Sequence, residues 1–226
     1  MQPIEVRLSE WLEQGFNLYK NNMATLTVAA LLVVLLSAVT LGILAGPLLA
    51  GFILMLLRMK DGTEPKPEIG DVFQGFPFFL QTFLFLLVYV VVDLVASTIL
   101  AVVPVFGFLA SLFFSVALGT VALFTMFLIV DKRMDFWPAF MKSFETVKAN
   151  FWMFLAFNAI LQVAMVVGMM LCGVGLIFAL PFAYAAVAIA YREIFNGVTE
   201  AEVVEPTLDH PARDAGFPPP PTEPTT

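Results

Sequence analysis

Among residues that could do chemistry, one stands out by its surroundings: Asp93, the lone charge in an otherwise uncharged run from Pro77 to Val130. A charged carboxylate at the centre of a bilayer costs about 2.5–3.5 kcal/mol on insertion scales, so such a residue must face protein or water, or be protonated. No Lys or Arg lies at its depth. Neutral partners are available in Asn158 and Gln162, four residues apart and hence on one face of a helix, with Ser97, Thr98, Ser115 and Tyr89 behind them. This set defines a candidate intramembrane polar site. It fits either a proton- or cation-responsive point on a transport path, or a hydrogen bond that fixes helix packing; a single acid without a relay favours packing.

Other chemistry is thin. The sequence shows no nucleotide-binding glycine loop, no nucleophile elbow and no paired carboxylates within apolar runs. A lone Cys172 and a lone His210 provide neither an internal disulfide nor a metal cluster. The expectation is therefore a protein without enzymatic activity, cofactor or bound metal. Six acids after Val198 (Glu200, Glu202, Glu205, Asp209, Asp214, Glu223), against Arg213, carry most of the net charge of −7. The remainder is close to balanced and offers no footprint for nucleic acid.

The elements that would position Asp93 are membrane helices. Of the 226 residues 60% are hydrophobic and 13% charged, far from the soluble norm of about 25% charged. The apolar residues fall in long blocks without strand-like alternation, which in lipid means helices. The fold class expected is all-α, a polytopic bundle of six transmembrane helices arranged as three hairpins, with amphipathic interfacial helices.

In chain order, residues 1–22 hold the first amphipathic helix, with Leu8, Trp11, Leu12, Phe16 and Tyr19 on one face. The transmembrane domain covers 23–197. Its first hairpin is the uncharged stretch Met23 to Leu57, turning at Gly42, Gly46 and Pro47. The second half of this hairpin is short, so a thin tilted crossing and a re-entrant loop both stay open, with crossing the expectation. Asp61 to Gly70 reads as a water-facing loop. Pro77 to Val130 holds two spans that turn near Pro104 and Gly107. A second amphipathic helix occupies Phe136 to Asn150, and Phe151 to Tyr191 gives the last two spans, turning around Cys172 to Gly175. Residues 198–226, rich in Pro, Glu and Thr, read as a disordered acidic tail.

The units repeat. Leu12 to Asn22 aligns without gaps on Phe140 to Asn150, so that Gly15 meets Ser143, Phe16 meets Phe144 and Lys20 meets Lys148. Phe73 to Phe76 restates the start of that pattern. Pro47 precedes Arg58 by the same interval at which Pro181 precedes Arg192. Three repeats follow, 8–62, 71–133 and 136–197, and Arg58 and Arg192 are expected at equivalent cytoplasmic helix ends. On a six-span count every Lys and Arg lies on one side, which places both termini in the cytoplasm of an inner (plasma) membrane. Trp11, Tyr19, Trp137 and Trp152 group on that face, as interface anchors would. Gly42 with Gly46, and Ser111, Ser115 and Gly119, are small-residue stripes suited to close helix contact, and Met165, Met169 and Met170 suit adaptable packing. The partner expected is the lipid bilayer, with a homo-oligomer or a second membrane protein left open.

The run from Pro47 to Phe76 (PLLAGFILMLLRMKDGTEPKPEIGDVFQGF) resembles the signature of uncharacterised bacterial integral-membrane proteins of the YciC-like kind, and is similar to the membrane domains of glycerophosphodiester phosphodiesterases. Asp131 to Asn150 resembles the loop and helix before the last hairpin of such proteins. The resemblance implies a six-helix inner-membrane bundle of unassigned function. The phosphodiesterase's soluble domain has no counterpart in the sequence, so no activity carries over. The function expected is that of a structural, scaffolding or regulatory membrane component; the alternative is a small transporter, permease or lipid-handling component using Asp93, Asn158 and Gln162.

Overall fold

The computed structural model describes residues 6–100, 102, 106–171 and 175–204, with side chains described up to Phe195. Among these residues the chain is helical with no strand. α1 (Leu8–Asn21), α2 (Met23–Val39) and α3 (Ala45–Lys60) lead into a 3-10 helix (Ile69–Phe78). There follow α4 (Phe79–Leu100), α5 (Phe106–Val121), α6 (Thr125–Asp131), α7 (Phe136–Lys148), α8 (Phe151–Met170) and α9 (Leu176–Val204).

Four helical stretches are long and apolar enough to cross a membrane: Ile69–Leu100, Phe106–Asp131, Phe151–Met170 and Leu176–Phe195. The first expected hairpin does not reach that measure. α2 has 17 residues and α3 has 16, which at 1.5 Å per residue gives about 25 Å each, short of a hydrocarbon layer of about 30 Å. The shortfall has local causes. α1 and α2 meet at Asn22 with a bend of 93°, and the α2–α3 turn uses Leu41 and Gly42 at positive φ. Pro47 then falls in the first turn of α3, where a missing backbone N–H costs nothing. Gly107, expected in a turn, lies inside α5, whereas Pro104 and Cys172 lie outside the described residues. α9 continues beyond Gly197 to Val204, so the composition change at 198 does not end the helix: Thr199 to Val204 contains no Pro or Gly to stop it. The rest of the expected tail lies outside the described residues.

Burial divides the helices into two kinds. α3 is buried from Gly46 to Ile53 except for half-buried Leu49, α6 is buried from Thr125 to Val130, and α9 is buried almost throughout from Ala185 to Tyr191. These three form the inner layer, joined by ring contacts of Phe127 with Tyr184 and Tyr191 and of Phe52 with Tyr184. α4 and α8, by contrast, leave Leu87, Val90, Leu94, Val163 and Val166 exposed, as lipid-facing helices must.

The amphipathic segments pack onto the inner helices, not away from them. α1 lies on α9, the 3-10 helix on α3, and α7 on α6. The buried stripe of α1 is Trp11, Gly15, Tyr19, and that of α7 is Ala139, Ser143, Val147; the gapless alignment equates Gly15 with Ser143 and Tyr19 with Val147, and Trp11 and Ala139 keep the same offset one residue before it. In each case a small residue permits the approach. A Cβ on Gly15 would lie 2.6 Å from the Ala186 Cα, and one on Gly75 would lie 2.0 Å from the Pro47 carbonyl oxygen. On α7 the small residue is Ser143, whose Oγ donates to the Val121 carbonyl at 2.6 Å and accepts from the Phe124 N–H at 3.2 Å. Those two groups lie at the break between α5 and α6, where the helix ladder leaves them unpaired.

Candidate functional site

Asp93 sits midway along α4, half-buried, and its Oδ1 accepts a hydrogen bond of 2.6 Å from Ser115 Oγ on α5. Ser115 belongs to the small-residue stripe of α5, which brings the two helices close enough for that bond. Of the other neutral side chains near it in sequence, Thr98 turns back to the Leu94 carbonyl at 2.7 Å, satisfying itself within its own helix.

Asn158, on α8, is 5% exposed. Its Nδ2 donates to the Val116 carbonyl and to Thr120 Oγ1, both at 3.1 Å, so α8 is tied to the end of α5. Gln162, one turn further along α8, is half-buried and makes no hydrogen bond among the described residues. The polar tips converge at Gly119. The point that a Cβ there would occupy is 3.2 Å from Asn158 Nδ2, 3.3 Å from Tyr89 Oη and 3.4 Å from Gln162 Nε2.

That convergence opens onto a cavity of about 240 Å³ lined from α3, α4, α5, α6, α8 and α9. Its wall includes Phe85, Tyr89, Asn158, Gln162, Met165 and Tyr184. Asp93 is not part of the wall. The structure therefore brings Asn158 and Gln162 together, joins Tyr89 to them, and leaves Asp93 one helical turn away on its serine. Tyr184 and Gly119 were not singled out as polar-site residues in the sequence. Gly119 was visible only as a packing glycine, and the contribution of Tyr184 depends on how α9 is rotated, which periodicity in a nearly all-apolar helix does not report.

A second polar cluster lies where the charged ends of α3 and α6 meet α9. Arg192 on α9 donates through one terminal nitrogen to Asp131 Oδ1 at 3.0 Å, at the end of α6, and through the other to Asp61, which follows α3. Tyr191 Oη donates to Asp131 Oδ2 at 2.7 Å, and Lys132 Nζ lies 3.6 Å from the same oxygen. One guanidinium thus joins α9 to the ends of α3 and α6. Arg58 does not occupy the same environment: in the last turn of α3, it lies 3.8 Å from Asp71 with its side chain 41% exposed. The spacing that pairs Arg58 with Arg192 in sequence did not reveal that only one of them is enclosed.

The aromatic residues expected as interface anchors divide. Trp137 and Trp152 are 58% and 72% exposed, in positions open to lipid. Trp11 and Tyr19 require correction, because both are buried in protein. Trp11 packs between Phe154 and Phe157 of α8 and donates from Nε1 to Glu193 Oε2 at 2.6 Å, while Tyr19 Oη lies 3.1 Å from Thr27 Oγ1. The bend at Asn22 turns α1 against α9, and the polar end of the indole finds a carboxylate instead of a headgroup. Among the described residues no group of three or more His, Cys, Asp and Glu could hold a metal ion. Comparison with family models, with curated proteins and with solved structures returns no match for this chain.

Proposed function

We propose that the chain is a multi-pass inner-membrane protein that acts as a structural, scaffolding or regulatory component without enzymatic activity. The observation that carries this reading is the use made of three polar side chains, Asp93, Asn158 and Ser143: they cross-link helices. Asp93 bonds Ser115 between α4 and α5, Asn158 bonds Thr120 and Val116 between α8 and α5, and Ser143 closes the break between α5 and α6. In lipid, where apolar surface gives no preference for helix over acyl chain, such bonds and close small-residue contacts are what hold a bundle in one arrangement. The reading includes six crossings, with α2 and α3 forming a thin first hairpin, three sequence units of related plan and both termini in the cytoplasm. It agrees with what the resemblance of the Pro47 to Phe76 run implies.

Two measurements test it. In a Cys172→Ser background, single cysteines at Gly62 and Val198 should be protected from an impermeant thiol reagent in intact cells, and one at Pro104 should react; labelling at Gly62 would overturn the six-span topology. Asp93→Asn should leave the thermal stability profile unchanged from about pH 5 to about pH 8, because the amide oxygen can still accept from Ser115. A pH dependence that disappears in the variant would instead make Asp93 a titrating site and refute the packing role.

A second reading, a small transporter or lipid-handling component, is favoured by one observation: Asn158 and Gln162 both face the cavity. Asp93 has no place in it.

A further inference from the structure

We infer that the cavity beside Gly119 binds a neutral, carbonyl-bearing apolar molecule of quinone chemistry; this deepens the lipid-handling reading and rests on it. Three features select the ligand. First, the hydrogen-bonding capacity at the site is unspent. Tyr89 Oη and Gln162 Nε2 lie 3.3 and 3.4 Å from where a Cβ on Gly119 would be, and neither makes a hydrogen bond among the described residues. Asn158, by contrast, spends both Nδ2 hydrogens on Val116 and Thr120. Two donors without protein partners on the wall of one cavity suit an acceptor oxygen of a ligand lying between them.

Second, no Lys or Arg lines the cavity, so a carboxylate or phosphate would be buried without compensation. The acceptor must be a neutral oxygen. Third, the donors stand near the middle of α4 and α8, and the wall there is aromatic and sulfur-rich, with Phe85, Phe127, Tyr184 and Met165. The ester carbonyls of bilayer phospholipids stay near the headgroups, whereas a carbonyl at mid-depth belongs to a molecule that is apolar throughout. Flat aromatic and thioether surfaces suit a planar ring. Gly119 keeps the site open, because a side chain there would press on Asn158 Nδ2, Tyr89 Oη and Gln162 Nε2 and grow into the cavity.

The test uses the full-length protein purified in detergent and a photoactivatable azido derivative of a decyl-substituted benzoquinone, with labelled peptides mapped by mass spectrometry. Labelling should fall on α4, α5, α8 and α9, and be competed by unmodified decylbenzoquinone but not by decylbenzene, which lacks the carbonyls. Tyr89→Phe and Gln162→Leu should each weaken that competition by roughly five- to tenfold, the effect of one lost hydrogen bond. Gly119→Val should block labelling; the two polar deletions keep the test decisive should that variant not fold. Equal competition by decylbenzene, with labelling still in the cavity, would overturn carbonyl recognition while leaving a lipid-holding cavity. Labelling spread over the exposed faces of α4 and α8, unchanged in every variant, would overturn both.

Discussion

Trp11 offers the sharpest contrast between a membrane anchor and a packed residue. Replacing it with Phe keeps a ring between Phe154 and Phe157 but removes the Nε1–H that reaches Glu193 Oε2 at 2.6 Å. A hydrogen bond to a charged group contributes about 1.5–3 kcal/mol. Here the lower end applies, because the Glu193 side chain is 33% exposed and keeps Arg7 Nε at 3.5 Å. For a chain of this size, about 1.5 kcal/mol corresponds to a Tm decrease of roughly 3–6 °C. Trp152→Phe, at a position 72% exposed, should change stability by no more than about 0.5 kcal/mol, or about 2 °C at most. The assay is the fraction of each purified variant that remains monodisperse on size exclusion after stepwise heating in one detergent. Trp11→Ala extends the series, since it also opens a cavity against two rings and should cost at least about 3 kcal/mol. Equal Tm values for Trp11→Phe and Trp152→Phe would refute the buried bond and return Trp11 to the interface.

Further outcomes follow from contacts of the same kind. Gly75→Ala should destabilise the protein by about 1–3 kcal/mol or more in the same heating assay, because the added Cβ would meet the backbone at Pro47 and Gly51, neither of which can swing aside. Gly70→Ala, with nothing within 4 Å of its Cβ position, should be neutral or stabilising by up to about 1 kcal/mol. Arg192→Met should cost about 3 kcal/mol, since it leaves Asp131, 15% exposed, without its closest cation. Adding Asp131→Asn should recover part of that loss, and strictly additive losses would show that the two do not interact.

The sequence by itself determined that the chain is helical and membrane-type, because uncharged blocks of such length have no other way to satisfy their backbone in lipid. It also determined where the small residues stand at 15, 75 and 143, and marked Asp93, Asn158 and Gln162 as the polar groups needing explanation. Their partners were decided only by tertiary structure. An apolar helix has no periodic signal to fix its rotation, so nothing local distinguishes an Asp93 that faces Ser115 from one that faces a cavity, or shows that Tyr89 and Tyr184 share a wall with Gln162. Amphipathicity placed Trp11 on the apolar face of α1, but water-free lipid and a protein groove satisfy that face equally. The choice fell to the bend at Asn22 and to Gly15, which lets α1 reach the alanine-rich surface of α9. Arg58 and Arg192 stand at matched positions in sequence, yet Asp61 and Asp131 gather on only one of them, because the meeting of two helix ends on α9 is a property of the assembled bundle and not of either repeat.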